Sequence, residues 1–563
     1  MTAAAQLEIW NHRLAEVAEH MGLVLQQSAL SPNIRERRDY SCAVFDSDGR
    51  LLAQAAHIPV HLGSTGMAVR AVIQSGLYLS DDDDRLCILN DPYCGGTHLP
   101  DVTLVGPVVV DGKRLGWVAA RAHHADIGGR TPGSMPVAAE AIGDALPEIE
   151  ETPPALGPNY RPWAESALQV RYRAVSIDDE GIRLPPAILD DALVERFAAA
   201  SRVPDERRGD LLAQRAAVEA GRKGFGRLCA RHGATTVADA GAALIDYAAR
   251  LMRARIALIP DGVYAFADSL DDDGAGQRDL GLRVTLTIEG DRALVDLTES
   301  DEQTRGSLNA TAPVTLAAVT YAFRLLLPED APTNEGLWEP LGVAAQSGSL
   351  LDAIYPAAVA AGNVETSQRV VDVVLGALAQ ALSVEIPSAS AGTMSNVMLG
   401  GPGWAYYETI GGGSGASSTG PGASSLQTHM TNTRNTPIEE LERNLPLRVT
   451  TYARRRHSGG GGLHHGGDGI VREYHLLADA QITLIGERRR RPPYGLVGGG
   501  PGTVGKDELT RNGRTVTLPA KISFAGKKGD TLRISTPGGG GHGDPMRAKF
   551  WAAVLSGQAM SID

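Results

Sequence analysis

Cysteine is scarce in this sequence, and the few cysteines are too far apart to act together. The 563 residues contain only Cys42, Cys87, Cys94 and Cys229, and no two of them form a Cys-x-x-Cys pair. This spacing excludes a zinc finger and a disulfide framework, and it is typical of proteins from a reducing compartment. The segment from Met1 to Gln6 lacks the basic and apolar parts of a signal peptide, so we expect a cytoplasmic location.

Two further absences each exclude a class of partner. The formal net charge is −13 at pH 7, so the chain has no basic excess with which to neutralise nucleic-acid phosphates. No run of about 18 apolar residues is present, so no transmembrane helix is expected. The sequence therefore predicts a protein that binds neither nucleic acid nor a membrane.

What the chain does contain is a set of metal-ligating side chains. His98 and Asp101 lie in the run Gly95-Gly96-Thr97-His98-Leu99-Pro100-Asp101, and His123 begins the run His123-His124-Ala125-Asp126. Two imidazoles and one carboxylate suit a catalytic divalent cation, because three protein ligands leave a coordination position open for water or substrate. The competing interpretation is that these are polar loop residues that cap turns.

The spacing of these residues predicts a hairpin that brings them together. Two apolar runs, 102–110 and 115–123, flank an Asp-Gly turn at Asp111 and Gly112, and this pattern is typical of an antiparallel pair of strands. Since a hairpin returns the chain to its starting point, we expect His123 to lie beside His98 and Asp101.

Other polar segments near this hairpin leave alternatives open. His57 and His61 lie on a proline-interrupted stretch, where they either orient the metal ligands or are ordinary buried histidines. The run from Ser31 to Tyr40 is dense in charge; it either binds an anion or forms a solvated loop with ion pairs, and the second is the default interpretation.

Length and pattern predict the architecture. A chain of 563 residues is long enough for three or four domains, and its 43% hydrophobic content is ordinary for a globular protein. Helical periodicity alternates with strand patterns, which predicts a multidomain α+β fold with mixed and antiparallel sheets and helical insertions. The predicted units are a metal-site domain at 1–185, a helical segment at 186–257, a central α/β domain at 258–440 and a β-rich domain at 441–563.

Glycine is abundant, with 66 residues, and two glycine-rich segments are candidates for function. The run around Gly412 and Gly413 precedes a polar run that includes His429 and Asn432. Exposed glycine amides can cradle an oxyanion while polar side chains orient a substrate, although a flexible surface loop is an equal alternative. The run from Gly459 to Asp468, which contains two histidines, is better explained by turns than by a second metal site.

One segment imitates a nucleotide-binding loop. Gly500 to Lys506 has the spacing of a phosphate-binding loop, but the next residue is Asp507, where such loops carry the Ser or Thr that binds magnesium. A carboxylate there would also repel phosphate, so we expect no ATP binding by this loop. The run Arg488 to Arg491 is expected to be a solvated charge run.

Several motifs, taken in order along nearly the whole chain, identify a family that the sequence resembles. They are Ser31-Pro32-Asn33-Ile34-Arg35-Glu36-Arg37, His57-Ile58-Pro59-Val60-His61-Leu62-Gly63, Asn90-Asp91-Pro92-Tyr93, Gly95 to Asp101, His123 to Gly129, Gly362 to Arg369, Thr428 to Pro437 and Thr536 to Gly541. The chain resembles the hydantoinase B/5-oxoprolinase family, which includes the acetone carboxylase alpha subunit. It departs from the family pattern at His464-His465 and at His542, which affects the expected substrate pocket.

The resemblance implies a partner and a two-stage reaction. Members act with an A-type subunit of actin-like ATPase fold, which uses ATP to phosphorylate a lactam, imide or ketone oxygen. The activated compound then reaches the B-type subunit, where water or a carbon nucleophile completes the reaction. The length is that expected of a free B-type subunit in an A2B2 assembly, and it is shorter than that of the carboxylases, which favours ring-opening hydrolysis of a cyclic amide.

The triad and the resemblance together give a hypothesis for the mechanism. His98, Asp101 and His123 hold a divalent ion (Zn, Mn or Fe), which lowers the pKa of a bound water that attacks the activated carbon. His124 or Asp126 is expected to shuttle a proton. The far side of the pocket is expected to be formed by Asn363, Glu365 and the run from His429 to Asn432, with Glu365 and His429 in catalytic roles.

Two alternatives come from other functional classes. A ketone carboxylase subunit would consume ketone only in the presence of bicarbonate. A non-catalytic scaffold that stabilises the ATPase partner would need no metal ion. Neither the ring substrate nor the choice of metal follows from the sequence.

Overall fold

The computed structural model of the chain describes residues 3–55, 58–141, 170–382 and 386–546. His57 and parts of the predicted first and last domains, 142–169 and 547–563, lie outside the described residues. The described helices are α1 (Ala3–Ser28), α2 (Pro32–Arg35), α3 (Ser64–Gln74), α4 (Asp191–Ala200), α5 (Pro204–His232), α6 (Ala234–Ile256), α7 (Ala312–Arg324), α8 (Ser367–Ala381) and α9 (Ile438–Asn444). None of them is both long enough and apolar enough to cross a bilayer.

The described strands form four sheets. In chain order they are β1 (Tyr40–Phe45), β2 (Leu51–Gln54), β3 (Cys87–Leu89), β4 (Asp101–Val110), β5 (Lys113–His123), β6 (Ala139–Ala141), β7 (Val170–Tyr172), β8 (Ala187–Ile188), β9 (Gly262–Asp272), β10 (Arg278–Glu289), β11 (Arg292–Asp296), β12 (Leu341–Ala344), β13 (Asn396–Gly401), β14 (Trp404–Thr409), β15 (Leu447–Arg455), β16 (Gly469–Leu476), β17 (Ala480–Ile485), β18 (Lys506–Arg511), β19 (Arg514–Thr517), β20 (Lys521–Gly526) and β21 (Thr531–Ser535).

The sheets are antiparallel or mixed, as predicted. Their strand orders are β2-β1-β5-β4-β3-β8, β12-β11-β10-β9, β14-β13-β17-β20-β6-β7 and β15-β16-β21-β18-β19. Parallel pairing joins β11 to β12 and β20 to β6, and the other strand pairs of these sheets are antiparallel. The chain is therefore a multidomain α+β protein.

The predicted domain boundaries stay a prediction, and the sheet that contains β13 crosses them. Strands β13 and β14 lie before residue 440, yet β13 pairs with β17, which lies beyond it. Strand β6, from the predicted first domain, pairs with β20 in the same sheet. Hydrogen bonds of one sheet thus connect three of the predicted units.

Local sequence signals explain where the predicted helices begin and end. Helix α5 begins at Pro204, carries Asp205 and Glu206 in its first turn, and is followed by Gly233 at φ +84°. Proline suits the first helical position, acidic residues oppose the positive end of the helix dipole, and glycine adopts the positive φ that ends many helices. The prediction of helix over 186–257 is confirmed for most of this range by α4, α5 and α6, but it is wrong at the start, where Ala187–Ile188 forms strand β8.

The first sheet is packed between two apolar clusters, and this arrangement positions the site. Side chains of one face, including Val102, Leu104 and Ala120, pack in a cluster with residues of α1 and α5. Side chains of the other face, including Val105 and Ala119, pack with residues of α3. Alternation along β4 and β5 therefore places Asp101 and His123 on the α3 face.

The abundance of glycine has a packing explanation. Irregular segments near 413, 467 and 539 run side by side and are joined by backbone hydrogen bonds, such as Gly467 N to Ser414 O (2.9 Å) and Gly539 N to Gly467 O (2.9 Å). A Cβ atom added at Gly413 would lie 1.9 Å from the Gly467 carbonyl oxygen. Only glycine allows backbones to approach this closely, as at the axis of collagen.

Candidate functional site

The predicted hairpin of residues 102–123 is confirmed, and so is the pairing of its strands. Strands β4 and β5 pair antiparallel, with Asp101 directly opposite His123. The turn between them has Asp111 at φ +50° and Gly112 at φ +72°, values typical of the tight turn that suits the twist of a hairpin. Directly opposed residues share a face, so the two side chains lie together at the open end of the hairpin.

His98 joins them from the turn that precedes β4. The Asp101 amide donates to the His98 carbonyl (3.1 Å), which folds the chain back on itself. His98 Nε2 lies 3.1 Å from Asp101 Oδ1 and 3.3 Å from His123 Nδ1. Asp101 Oδ1 lies 3.2 Å from His123 Nδ1, so the three atoms form a nearly equilateral triangle.

The triangle has the composition and spacing of a metal site. It is the one group of three possible ligand residues (His, Cys, Asp or Glu) with suitably close ligand atoms in the part of the chain that the structure describes. All three side chains are buried. Two lone-pair nitrogens and a carboxylate oxygen about 3.2 Å apart fit around one divalent cation, so these residues suit the ion that the sequence predicts.

The second oxygen of Asp101, Oδ2, is held by two neighbouring side chains. Thr97 Oγ1 donates to Asp101 Oδ2 (2.7 Å), and His61 Nε2 lies 3.2 Å from the same atom. His61 Nδ1 in turn lies 2.8 Å from Ser41 Oγ on β1. These contacts fix the carboxylate so that Oδ1 faces the histidines, which is the orienting function predicted as one alternative for His61.

The local charges keep the Asp101 carboxylate ionised. Burial raises the pKa of the Asp101 carboxyl, but the effect of His98, His61 and His123 outweighs burial and holds the pKa well below its usual range. Burial lowers the pKa of His123. The site therefore offers an ionised carboxylate beside an imidazole that resists protonation.

A second group of polar side chains adjoins the triad, and of its members the sequence had indicated only Glu365. The Tyr407 ring on β14 stacks on the His123 ring, with centroids 4.5 Å apart and planes 23° apart. The Tyr407 hydroxyl donates to Asn396 Oδ1 on β13 (3.0 Å), and Asn396 Nδ2 donates to Glu365 Oε1 (2.7 Å). Glu365 is thereby connected to the triad through two side chains.

Glu365 is held as a neutral acid. Its Oε1 also accepts from the Met394 amide (3.2 Å), while its Oε2 is buried and makes no hydrogen bond within the described residues. Burial, with the nearby Glu487 carboxylate, raises the pKa of Glu365 to about 8. Since Oε1 accepts both of these hydrogen bonds, Oε2 is the oxygen that is free to carry the proton.

The contacts of His124 and Asp126 account for both side chains structurally. His124 follows His123 but contacts the opposite side, where Nε2 lies 2.8 Å from Gln214 Oε1 on α5; burial lowers its pKa to about 4. Asp126 accepts from the backbone and side chain of Arg202 (3.1 and 2.9 Å). Their proton-transfer role stays a prediction, and these contacts do not favour it.

Two further predicted residues lie beside helix α8. His429 is buried, has φ +56°, and places Nε2 3.8 Å from Asp372 Oδ1. Asn363 is buried in the wide helical turn Gly362–Thr366, and its Oδ1 has no hydrogen-bond partner among the described residues. The two share the neighbourhood of α8 with Glu365, whereas no hydrogen bond, ion pair or ring contact joins either of them to the triad in the described part of the chain.

Asn432, in contrast, lies on the surface. It lines an open cavity of about 430 Å³, together with residues that include Arg38, Tyr40 and Arg434. The Tyr40 side chain lies on the α1 face of the first sheet, so this cavity adjoins the face opposite the triad. Its substrate-binding role stays a prediction.

The glycines predicted to cradle an oxyanion have their amides in use. Gly412 N donates to Leu426 O (2.9 Å), and Gly413 N donates to Pro537 O (3.1 Å). Both belong to the packed glycine segments described above. The contacts favour a packing role, and substrate binding by Gly412 and Gly413 stays a prediction.

The prediction of solvated charge is wrong for Arg37 and Arg488, whereas Arg490 and Arg491 are exposed as predicted. Arg37 is fully buried and donates to the Tyr407 carbonyl (2.7 Å) and to Thr409 Oγ1 (3.1 Å). Arg488 is also buried, where it pairs with Asp268 (2.8 Å) and Asp372. Carboxylates compensate the buried charge of Arg488, whereas Arg37 donates to a carbonyl and a hydroxyl. Sequence periodicity cannot show these partners, because they lie hundreds of residues away.

An ion pair explains why Asp507 follows the segment Gly500 to Lys506, which imitates a phosphate-binding loop. Asp507 is buried and forms two hydrogen bonds with the Arg489 guanidinium (2.9 and 3.1 Å). Lys506 begins strand β18 and pairs with Glu508 at the surface. The loop is followed by a strand, whereas a phosphate-binding loop requires a helix.

Glu180 is a buried acid that the sequence analysis did not single out. Its Oε1 accepts from the Val359 and Ala360 amides, both at 2.8 Å, directly before the helical segment that carries Asn363 and Glu365. Burial is the main cause that raises its pKa to about 8. Glu180 thus caps the start of this segment as a neutral carboxylic acid.

This arrangement predicts a pH-dependent stability that the Glu180→Gln variant lacks. Unfolding returns the pKa of Glu180 from about 8 to about 4.5, so above pH 4.5 the unfolded chain releases the proton first. The contribution of Glu180 to stability is therefore complete below pH 4.5 and is lost as the pH rises through about 8, by roughly 1.4 kcal/mol per pH unit at most. Melting temperatures from pH 5 to 9 should fall less steeply in Glu180→Gln than in the wild type; parallel curves would contradict the assignment.

Comparison with known proteins agrees with this fold. The family model described as Hydantoinase B/oxoprolinase matches residues 3–145 and 168–545. The chain is 36% identical over 554 residues to 5-oxoprolinase 1 of Arabidopsis thaliana, and the match covers 96% of this chain and 42% of that protein. It is 30% identical over 557 residues to the putative B-type subunit of a D-/L-hydantoinase from a Pseudomonas species, covering 95% of this chain and 88% of the relative.

The coverage shows that relatives differ in length. The chain spans about two fifths of the 5-oxoprolinases that it matches, such as those of Arabidopsis thaliana (42%) and Dictyostelium discoideum (40%). It spans 90% of an uncharacterised protein of Methanocaldococcus jannaschii, to which it is 34% identical over 550 residues and which covers 96% of this chain.

Solved structures show the same architecture. The ATP-dependent caprolactamase from Pseudomonas jessenii aligns with a TM-score of 0.82 and 25% identity, covering 100% of this chain and 95% of that one. The nucleotide-free acetone carboxylase aligns with a TM-score of 0.82 and 16% identity, over 98% of this chain and 78% of that one, and so shows the fold alone. With the family match over almost all of its length, the chain belongs to the hydantoinase B/oxoprolinase family.

Proposed function

We propose that this chain is the B-type subunit of an ATP-dependent cyclic amidohydrolase. An A-type ATPase subunit, in an A2B2 assembly in the cytoplasm, phosphorylates the oxygen of a hydantoin, 5-oxoproline or lactam, and this chain then opens the ring. The observation that carries the proposal is the buried triangle of His98, Asp101 and His123, whose ligand atoms lie 3.1–3.3 Å apart. The named relatives and the caprolactamase, which act on cyclic amides by name, support the substrate class.

The triad residues would hold one divalent ion, Zn, Mn or Fe, and no nucleotide is assigned to this chain. When bound, such an ion acts as a Lewis acid and lowers the pKa of a coordinated water. Thr97 and His61 hold the second oxygen of Asp101, so the carboxylate is fixed before substrate arrives. A prepositioned ligand set avoids reorganisation during the reaction.

The reaction requires a proton at the ring nitrogen. Addition of water to the carbon that bears the phosphorylated oxygen gives a tetrahedral adduct that carries two leaving groups, the phosphate and the ring nitrogen. Loss of phosphate returns the intact ring and wastes the ATP. Loss of the nitrogen requires its protonation; it opens the ring and leaves an acyl phosphate, which a second water hydrolyses.

We assign the proton to Glu365. It is connected to the triad through Asn396 and Tyr407, it is protonated near neutral pH, and its Oε2 is not engaged by the described protein. A neutral carboxylic acid kept in a buried site is a suitable general acid at pH 7. Asn363, close to Glu365 on the same helical segment, is proposed to contact the substrate.

The test is an assay of the purified chain with an A-type subunit, ATP and a substrate panel of hydantoins, 5-oxoproline, lactams and ketones. The proposal expects ATP-dependent appearance of the ring-opened acid from at least one cyclic amide. Ketone consumption that depends on bicarbonate would instead assign the carboxylase function. Absence of bound metal together with stimulation of the partner's ATPase would assign the scaffold function.

A further inference from the structure

His123 lacks the hydrogen bond that normally orients a metal-binding histidine. Its Nδ1 faces Asp101 and His98, while its Nε2 is buried without a hydrogen-bond partner in the described residues. Metal-binding histidines usually donate the distal N–H to a carboxylate or carbonyl, which fixes the plane of the ring. Some other contact must therefore fix the ring of His123.

The contact that the structure offers is a stack of planar groups. The Tyr407 ring lies against the His123 ring with centroids 4.5 Å apart and an interplanar angle of 23°. The Arg37 guanidinium carbon lies 4.7 Å from the centroid of the same Tyr407 ring. Stacking of rings and of a guanidinium on an aromatic face is attractive, and both contacts are shielded from water here.

Tyr407 is itself fixed at both ends. Its hydroxyl donates to Asn396 Oδ1 (3.0 Å), and its carbonyl accepts from Arg37 Nη1 (2.7 Å). Its backbone pairs with Met398 in the hairpin of β13 and β14. The ring is consequently a rigid surface, and not one that adapts to His123.

Arg37 also approaches His123 along the backbone. Its Nη2 lies 3.8 Å from Asp39 Oδ2, and the Asp39 carbonyl accepts from the His123 amide (3.0 Å). Arg37 is thus linked to both the main chain and, through Tyr407, the side chain of one ligand. It comes from a segment that is distant in sequence from β14.

We propose that Arg37 and Tyr407 form a brace that sets the plane of the His123 ring and so determines how tightly the triad binds a divalent ion. The brace replaces the absent hydrogen bond at Nε2 of His123. The contact with Asp101 determines that Nδ1 is the nitrogen that faces the triad. Arg37 and Tyr407 act as positioning residues through His123. The inference rests on ion binding by the triad, which is part of the proposed function.

The experiment titrates the metal-free full-length chain with Co²⁺ and follows both affinity and the visible absorption bands of the bound ion. Tyr407→Phe keeps the stacking ring and is expected to bind Co²⁺ within about threefold of the wild type. Tyr407→Leu removes the ring and should bind about 10–100-fold more weakly, as when an outer partner of a metal ligand is lost, with altered absorption bands. Arg37→Lys loses the planar group and should also bind more weakly.

Tyr406→Leu is the matched control. Tyr406 is the adjacent tyrosine of β14, equally buried, but it packs in the C-terminal apolar cluster, on the opposite face of the strand. The Tyr406→Leu variant should therefore lose about as much apolar packing as Tyr407→Leu, but it should bind Co²⁺ like the wild type. Equal Co²⁺ affinity and spectra in Tyr407→Leu, Tyr406→Leu and wild type would overturn the brace, whereas failure of the wild type to bind Co²⁺ would overturn the ion site of the proposed function.

Discussion

Replacing His98 with alanine is expected to remove the bound metal ion and to abolish ring opening while the fold persists. His98 supplies one corner of the ligand triangle, with Nε2 3.1 Å from Asp101 Oδ1 and 3.3 Å from His123 Nδ1. Without it, two protein ligands remain, which is fewer than catalytic sites of this kind retain. Loss of an outer partner alone costs about 10–100-fold in affinity or activity, so loss of a ligand should cost at least about 10³-fold.

Metal content and thermal stability report the loss of ion binding separately from the loss of activity. The dialysed wild type should retain about one ion per chain, and His98→Ala should retain none. An ion that binds only the folded protein raises its melting temperature, so added Mn²⁺ or Zn²⁺ should raise that of the chelator-treated wild type but not that of His98→Ala. The metal-free forms of the two proteins should melt at similar temperatures, which establishes that the variant is folded.

His12→Ala is the control for removal of a histidine as such. His12 is exposed on α1 and takes no part in the ligand triangle. It should leave metal content and ring opening unchanged. If His98→Ala behaved in the same way as His12→Ala in both measurements, the triad would not be the centre of the reaction.

Replacing Glu365 with glutamine is expected to uncouple ATP consumption from ring opening. Glutamine retains an oxygen that can accept from Asn396 and from the Met394 amide, but it has no acidic proton to give to the ring nitrogen. The adduct then returns to the intact ring by losing phosphate. Ring opening should fall by about 10²–10⁴-fold, the usual contribution of a general acid, while phosphate release continues and metal content is unchanged.

The pH dependence has a definite sign. The pKa of Glu365 is raised to about 8, so the acid form predominates below that pH and is lost above it. Coupled ring opening by the wild type should therefore fall as the pH rises through about 8, and the residual activity of Glu365→Gln should not show this decline. The ratio of phosphate released to ring opened, measured across this range, reports both effects.

Glu180→Gln is the matched control, because burial also raises the pKa of Glu180 to about 8. Glu180 accepts hydrogen bonds from the Val359 and Ala360 amides and is not connected to Tyr407 in the described contacts. It should alter stability against pH without changing the ratio of phosphate to product. Tight coupling retained in Glu365→Gln would exclude Glu365 as the proton donor.

The parts of the site that sequence predicts well are those formed by neighbouring residues. Asp101 and His123 are brought together by one hairpin, whose turn residues Asp111 and Gly112 and alternating strands are visible in the sequence. The long helices follow from periodicity and from end signals such as Pro204 and Gly233. Local interactions decide these features, so a local pattern reveals them.

The incorrect interpretations concern residues whose partners are distant. Arg37 and Arg488 have the sequence context of exposed charges, yet both are buried against groups hundreds of residues away, Tyr407 for Arg37 and Asp268 for Arg488. The substrate-binding role of Gly412 and Gly413 stays a prediction; their amides bond to other irregular segments, and this packing has no local signature. The type of a residue determines which interactions it can form. The environment in which it forms them depends on how the whole chain folds.

By itself, therefore, the sequence determined the family, the α+β class, and the identity of three side chains that meet at a hairpin end, because ligand chemistry and hairpin geometry are local properties. The tertiary structure alone decided that Tyr407 covers His123, that Arg37 supports Tyr407, and that Glu365 is a neutral acid connected to them. Stacking requires the approach of separate strands, and a raised pKa requires burial, and both exist only after the distant segments have packed together.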